Sequence, residues 1–163
     1  PAISAAASIT TPWTVSFQEG RRGPATFTAA TLARWDQADD PALRYFSGVA
    51  TYANSFAAPA GWNAGEPLWL DLGEVYDVAE VWVNGSRAGG LWRAPWRIDV
   101  GALAHGGANS IEIKVANRWV NRLVGDAQPG AEVGTFIAGP GYAADAPLRP
   151  SGLIGPVRVL VEE

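Results

Sequence analysis

Residues 68–100 read LWLDLGEVYDVAEVWVNGSRAGGLWRAPWRIDV, and their periodicity decides the fold. In an extended chain Leu68, Leu70 and Leu72 share one face, with Trp69 and Asp71 on the other. Ala79, Val81 and Val83 then share a face against Glu80 and Trp82. A period of two marks a half-buried strand, because successive side chains point to opposite sides of a sheet. Asn84-Gly85 follows at once. Both residues tolerate positive φ, which a two-residue type I′ hairpin requires. The chain is therefore predicted to double back as a strand through Ser86 to Ala88.

The same alternation recurs on either side. In Phe46 to Phe56 (FSGVATYANSF), Ala50, Tyr52, Asn54 and Phe56 share a face. In Ser110 to Ala116 (SIEIKVA), Ile111, Ile113 and Val115 oppose Glu112 and Lys114, and Gly106-Gly107 marks the turn before it. Val157, Val159 and Val161 oppose Arg158, Leu160 and Glu162. Nineteen Gly and twelve Pro punctuate these short segments, which is the all-β pattern. Only Ala29 to Trp35 and Asp99 to Ala104 read as short helical turns. The prediction is an all-β, antiparallel jelly-roll β-sandwich. Gly125 to Pro150, rich in Gly, Pro and Ala, is predicted to be a long surface loop. Residues 1–11, opening PAISAAASIT, read as a linker or tail, and residues 12–163 as a single domain.

At 163 residues the chain is long enough to bury one core. A net charge of −4 with no basic stripe argues against nucleic acid as a partner. No apolar run approaches the length of a membrane span, so no membrane partner is expected. The absence of Cys removes disulfides and thiolate metal sites. Met is absent even at position 1, so the chain is expected to be a processed or excised part of something longer.

Two segments concentrate chemistry. Leu91 to Arg97 (LWRAPWR) carries two Trp and two Arg, and Asn117 to Asp126 (NRWVNRLVGD) carries two Asn, two Arg, a Trp and an Asp. Indole faces stack on the C–H faces of sugar rings, and Arg forks donate to hydroxyls or carboxylates. The candidate ligand-binding residues are therefore Trp92 and Trp119 as platforms, with Arg93, Asn117, Arg118, Asn121 and Arg122 as polar partners. A structural reading competes. One Trp caps the core and Arg93 or Arg97 pairs with Asp99. The Asn side chains then bond loop backbone, and Arg118 and Arg122 pair with Asp126.

Nothing points to catalysis. His105 is the only His and sits in a turn context, AHGG. No G-x-S-x-G elbow is present, and no pair of carboxylates stands in the distinctive setting a glycosidase needs. No cofactor is expected. Asp36, Asp39 and Asp40 read as a solvated turn, with a structural Ca²⁺ as the alternative use of such an oxygen-rich loop.

Five segments in order carry a family resemblance: Pro12 to Phe17, Tyr45 to Phe56, Leu68 to Val100, Gly107 to Asp126 and Ser151 to Val159. They resemble the C-terminal β-sandwich of glycoside hydrolase family 106, the α-L-rhamnosidases. More broadly they are similar to the sugar-binding jelly roll of glycoside hydrolase family 2. NRWVNRLVGD and SGLIGPV are the segments that point to the rhamnosidases. The resemblance implies a galactose-binding-like, non-catalytic domain whose parent enzyme carries its carboxylates in a separate barrel. It implies two partners: a carbohydrate, such as a rhamnose- or uronate-containing polysaccharide, and the parent's catalytic domain. It also implies a secreted or periplasmic bacterial protein. The alternative under the same resemblance is a domain that only braces the barrel, its Trp/Arg surface being a domain interface.

Overall fold

A computed structural model describes residues 2–162. The strands are β1 (Ile3–Ser8), β2 (Trp13–Phe17), β3 (Phe27–Ala29), β4 (Val49–Ala57), β5 (Leu68–Asp71) and β6 (Glu74–Tyr76). They continue with β7 (Val78–Val83), β8 (Ser86–Leu91), β9 (Arg97–Asp99), β10 (Ala108–Ala116), β11 (Gly152–Gly155) and β12 (Arg158–Glu162). A 3-10 turn at Trp35–Gln37 and the helices α1 (Pro41–Arg44) and α2 (Val120–Asp126) complete the order.

One sheet runs β1-β12-β5-β9, a larger one runs β3-β2-β4-β10-β7-β8, and β11 pairs with β6. Every strand ladder is antiparallel. The two main sheets share a single apolar core, as sandwich layers must. Leu68, Leu70 and Leu72 enter it from one side, and Ala79, Val81, Val83, Ile111, Ile113 and Val115 from the other. These are the inward positions that the period of two assigned. The hairpin turn has Asn84 at φ 50° and Gly85 at φ 80°, as type I′ demands. Asn84 also ties the turn down, its Oδ1 accepting from Ser110 N at 3.0 Å. The returning strand β8 runs to Leu91, past the predicted Ala88.

Four expectations are corrected. Residues 3–8 are not a linker: β1 is an edge strand laid antiparallel along β12. Its side chains stay mostly exposed on both faces, so ISAAAS carries no alternation to read. NRWVNRLVGD does not remain a loop, because its last seven residues form α2, which buries Asn121, Val124 and Gly125. The helix expected in Ala29 to Trp35 begins instead at Trp35, and α1 starts six residues further on at Pro41. Asp40 sets its start, since the side chain accepts from Ala42 N at 2.9 Å and Pro41 occupies the first turn. Leu160, expected to face outward, is 3 % exposed and lies opposite Trp69 in the ladder. The turn foreseen at Asp99 to Ala104 is present, closed by Ala104 N to Val100 O at 3.0 Å.

Candidate functional site

The outer face of the six-stranded sheet is built by register. Ser16 pairs with Thr51, Thr51 with Lys114, Lys114 with Glu80, and Glu80 with Gly90. One row of outward residues thus crosses five strands, and Gly90 leaves its last position without a side chain. On one side runs a second row: Thr14, Ala53, Glu112, Trp82 and Arg87. On the other side Val49, Ala116 and Val78 align. A groove of about 630 Å³ lies over this face. Its polar walls are Ser16, Gln18, Thr51, Glu80 and Lys114, its apolar floor includes Val49, Val78 and Ala116, and Trp92 stands at its edge.

Charges in the groove are unevenly paired. Glu80 is neutralised by Arg87 Nε at 2.7 Å. The Lys114 ammonium sits 5.0 Å above the Trp82 ring, a cation–π placement. Lys114, Arg93 and Arg21 belong to none of the ion pairs among the described residues. On this face Glu112 in the neighbouring row is likewise in none of those ion pairs, so the unpaired charges are Lys114, Arg93 and Arg21 against one carboxylate.

The sequence-predicted residues divide into two groups. Trp92 is 73 % exposed, and Arg93 beside it is exposed. Both are available to a ligand. Trp119 is 45 % exposed, with the Arg21 guanidinium 4.6 Å over its ring. Arg118 reaches out to Asp77 at 3.3 Å rather than to Asp126. Leu91 lies opposite Ala79 and Ala116 opposite Val78, so both loops leave from the same end of the sheet. They do not form one cavity: Trp92 borders the groove, whereas Trp119 lines a separate cleft of about 50 Å³ with Arg21, Arg22 and Arg122.

Asn117, Asn121 and Arg122 are braces. The Asn117 side chain accepts from Gly48 N at 3.0 Å and donates to Phe46 O at 2.8 Å and Ser151 Oγ at 3.0 Å. Asn121 is 1 % exposed. It donates to Arg149 O at 2.8 Å and Ser151 Oγ at 3.0 Å, and accepts from Arg149 N at 2.7 Å. Arg122 pairs with Asp126 at 2.9 Å, one helical turn away. Burial pushes the Asp126 carboxyl up, but hydrogen bonds from Thr135 and Gly134 and the Arg122 charge outweigh it and hold it below the usual range. With donors and acceptors occupied, Asn117 and Asn121 have nothing left to offer a sugar, whereas Arg122 uses only its Nε on Asp126 and lines the Trp119 cleft. LWRAPWR follows the structural reading in part. Trp96 is the Trp that packs on the core, as that reading expects, but the expected pairing with Asp99 is not formed. Arg97 pairs with Asp71 at 2.9 Å, and Asp99 instead accepts from Leu68 N and Gly101 N.

Ser16, Gln18, Thr51, Glu80 and Lys114 escaped the sequence reading as site residues. The outward orientation of Glu80 and Lys114 was legible in the alternation, but their adjacency to Ser16, Gln18 and Thr51 depends on pairing among strands far apart in the chain. The acidic trio is dispersed in role: Asp36 accepts from Arg34 Nε at 3.2 Å and Ser151 N at 3.0 Å, whereas Asp40 caps α1. Among the described residues, no three His, Asp or Glu side chains converge as a metal site. Among the same residues, no helix is long and apolar enough to cross a membrane.

Known proteins share this architecture. The family described as glycosyl hydrolase 2 galactose-binding domain-like matches residues 35–145. A Formosa agariphila protein provisionally named a beta-glucuronidase is 35 % identical over 159 residues, covering 81 % of this chain and 14 % of its own length. The structure of a rhamnosidase from Novosphingobium sp. PP1Y superposes with a TM-score of 0.93 at 49 % identity, covering 98 % of this chain and 15 % of that one. A β-glucuronidase from Ruminococcus gnavus, solved with D-glucuronic acid, shares the fold, with a TM-score of 0.67 at 20 % identity over 98 % of this chain and 29 % of that one. The chain thus spans about a seventh of the first two relatives' length. The matched family, the antiparallel sandwich and the glycosidase relatives agree: the chain belongs to the glycosyl hydrolase 2 galactose-binding domain-like family.

Proposed function

We propose that this chain is a non-catalytic module of a glycoside hydrolase that holds an acidic, uronate-bearing glycan on the outer face of its six-stranded sheet. One observation carries the reading: a groove with polar walls, an exposed indole at its edge and an unpaired Lys114 within it. Trp92 supplies a platform for the C–H face of a sugar ring. Ser16, Gln18 and Thr51 offer hydroxyl and amide partners. Lys114 and Arg93, which belong to none of the ion pairs among the described residues, attract a carboxylate, and Arg87 pairs with the nearby Glu80. Arg118 and Trp119 extend the polar end of the sheet beyond the groove. Hydrolysis falls to another domain of a secreted or periplasmic parent, where polysaccharide is met. The relatives named for rhamnose and glucuronic acid chemistry favour a rhamnose- or uronate-containing polysaccharide.

The experiment is a titration of the chain with rhamnose, galacturonate and pectic oligosaccharides, followed by Trp fluorescence and amide NMR shifts. Acidic oligosaccharides are expected to bind, and Trp92→Ala to abolish the response. Silence at millimolar ligand overturns the reading. On an aryl rhamnoside the chain is expected to show no turnover. A purely bracing role is the second reading, favoured by the engagement of Asn117, Asn121 and Arg122 within the fold.

A further inference from the structure

We propose that residues 133–142 form a docking surface for a second folded domain of the same polypeptide. This rests on reading the chain as one module of a multidomain hydrolase. Four of the nine exposed large hydrophobic side chains among the described residues fall in this stretch. Phe136 is 94 % exposed, Val133 67 %, Tyr142 43 % and Ile137 39 %. The stretch reads VGTFIAGPGY and contains no charged residue. Concentrated exposed apolar surface marks an interaction site, whereas scattered single residues do not.

The strip is held in place rather than left loose. Asp126 accepts from Gly134 N at 3.2 Å and Thr135 N at 3.1 Å, and also from the Thr135 hydroxyl. Arg22 donates to the carbonyl of Glu132 just before it. Gln128 Nε2 donates to Ala144 O at 2.8 Å just after it. The charged and polar groups are thus used to fasten the ends, and the apolar ones are turned outward. A surface ordered before binding loses less conformational entropy when a partner covers it.

The chemistry favours a protein over a glycan as occupant, because the strip has few polar groups to meet sugar hydroxyls. Thr135 is the one side chain in the strip with a hydroxyl donor besides Tyr142, and Asp126 already engages it. A protein surface with an apolar centre fits. The rhamnosidase that matches 98 % of this chain at 49 % identity has 85 % of its length outside the match, so a comparable polypeptide supplies further domains to dock.

The test compares amide hydrogen exchange at residues 133–142 in the 163-residue chain and in the full natural polypeptide that contains it. Protection is expected to rise about tenfold or more in the longer protein. Phe136→Asp with Tyr142→Asp is expected to return exchange to the level of the chain alone. The same pair of substitutions should leave the Tm of the isolated chain and its glycan titration unchanged. Equal exchange in both proteins overturns the proposal, as does a natural polypeptide with no further domain. A lower Tm for the substituted isolated chain overturns it by assigning these side chains to the fold. Protection that arises in the isolated chain with rising concentration overturns it in favour of a second copy. Because Trp92 is untouched, loss of docking and loss of glycan binding register separately.

Discussion

Asn121 shows how a residue chosen for ligand chemistry becomes structural. Its type and its place after a strand suit a sugar hydroxyl, but the fold carries Arg149 and Ser151 to it from 28 and 30 residues away. A buried amide must find partners, and this one is satisfied by the loop before β11. Asn121→Ala would leave Arg149 N without its partner, while Ser151 Oγ keeps Asn117 and Arg149 O keeps Ser151 Oγ. It is expected to cost about 1–3 kcal/mol in urea unfolding, the usual cost of one unpaired buried group. Glycan affinity should stay unchanged, because Asn121 does not reach the groove. Trp92 behaves oppositely. Nothing in the core depends on it, so Trp92→Ala should leave Tm unchanged and remove binding. The sequence offered both residues on equal terms, and only burial separates them.

Among the elements, the legible ones have one buried and one exposed face. VAEVWVNG gave β7, its inward residues and its turn, because alternation and the turn's positive φ are local properties. β1 has no buried face, so its sequence holds no period. α2 has seven residues, too few to show a 3.6-residue repeat against the preceding strand. Yet β1 matters to the sheet: removing residues 1–9 would turn β12 into an unpaired edge. That truncation is expected to lower Tm and promote aggregation, measurable by calorimetry and light scattering. Two element ends also depend on charge. In Asp71, burial raises the carboxyl, but Gly73 N, Arg97 and Arg158 together hold it below its ordinary value. Asp126, which fastens α2 to the docking strip, is depressed as well. A depressed carboxylate contributes stability that is complete above its unfolded pKa of about 3.9. That contribution disappears as the pH falls through the lower folded pKa. Stability should therefore decline in the acid range below about pH 4, and Asp126→Asn should flatten part of the decline.

At the scale of the molecule, the groove exists only when five strands hold their register. No local segment contains it, which is why the sequence showed outward Glu80 and Lys114 but not the row that joins them to Thr51 and Ser16. A ligand that bridges the row binds the folded state alone, so it must stabilise that state by mass action. At a glycan concentration one hundred times its Kd the gain is about 2.7 kcal/mol. For a domain of this length that raises Tm by about 5–10 °C. Trp92→Ala should abolish the rise without changing the Tm measured without glycan. Lys114→Gln should weaken it for uronate-bearing oligosaccharides and spare neutral ones. Added salt should erode the acidic glycan's advantage as screening shortens the reach of Lys114 and Arg93. A rise that is equal for neutral and acidic glycans and insensitive to salt would remove the cations from the recognition and leave the indole and the hydroxyls as its basis.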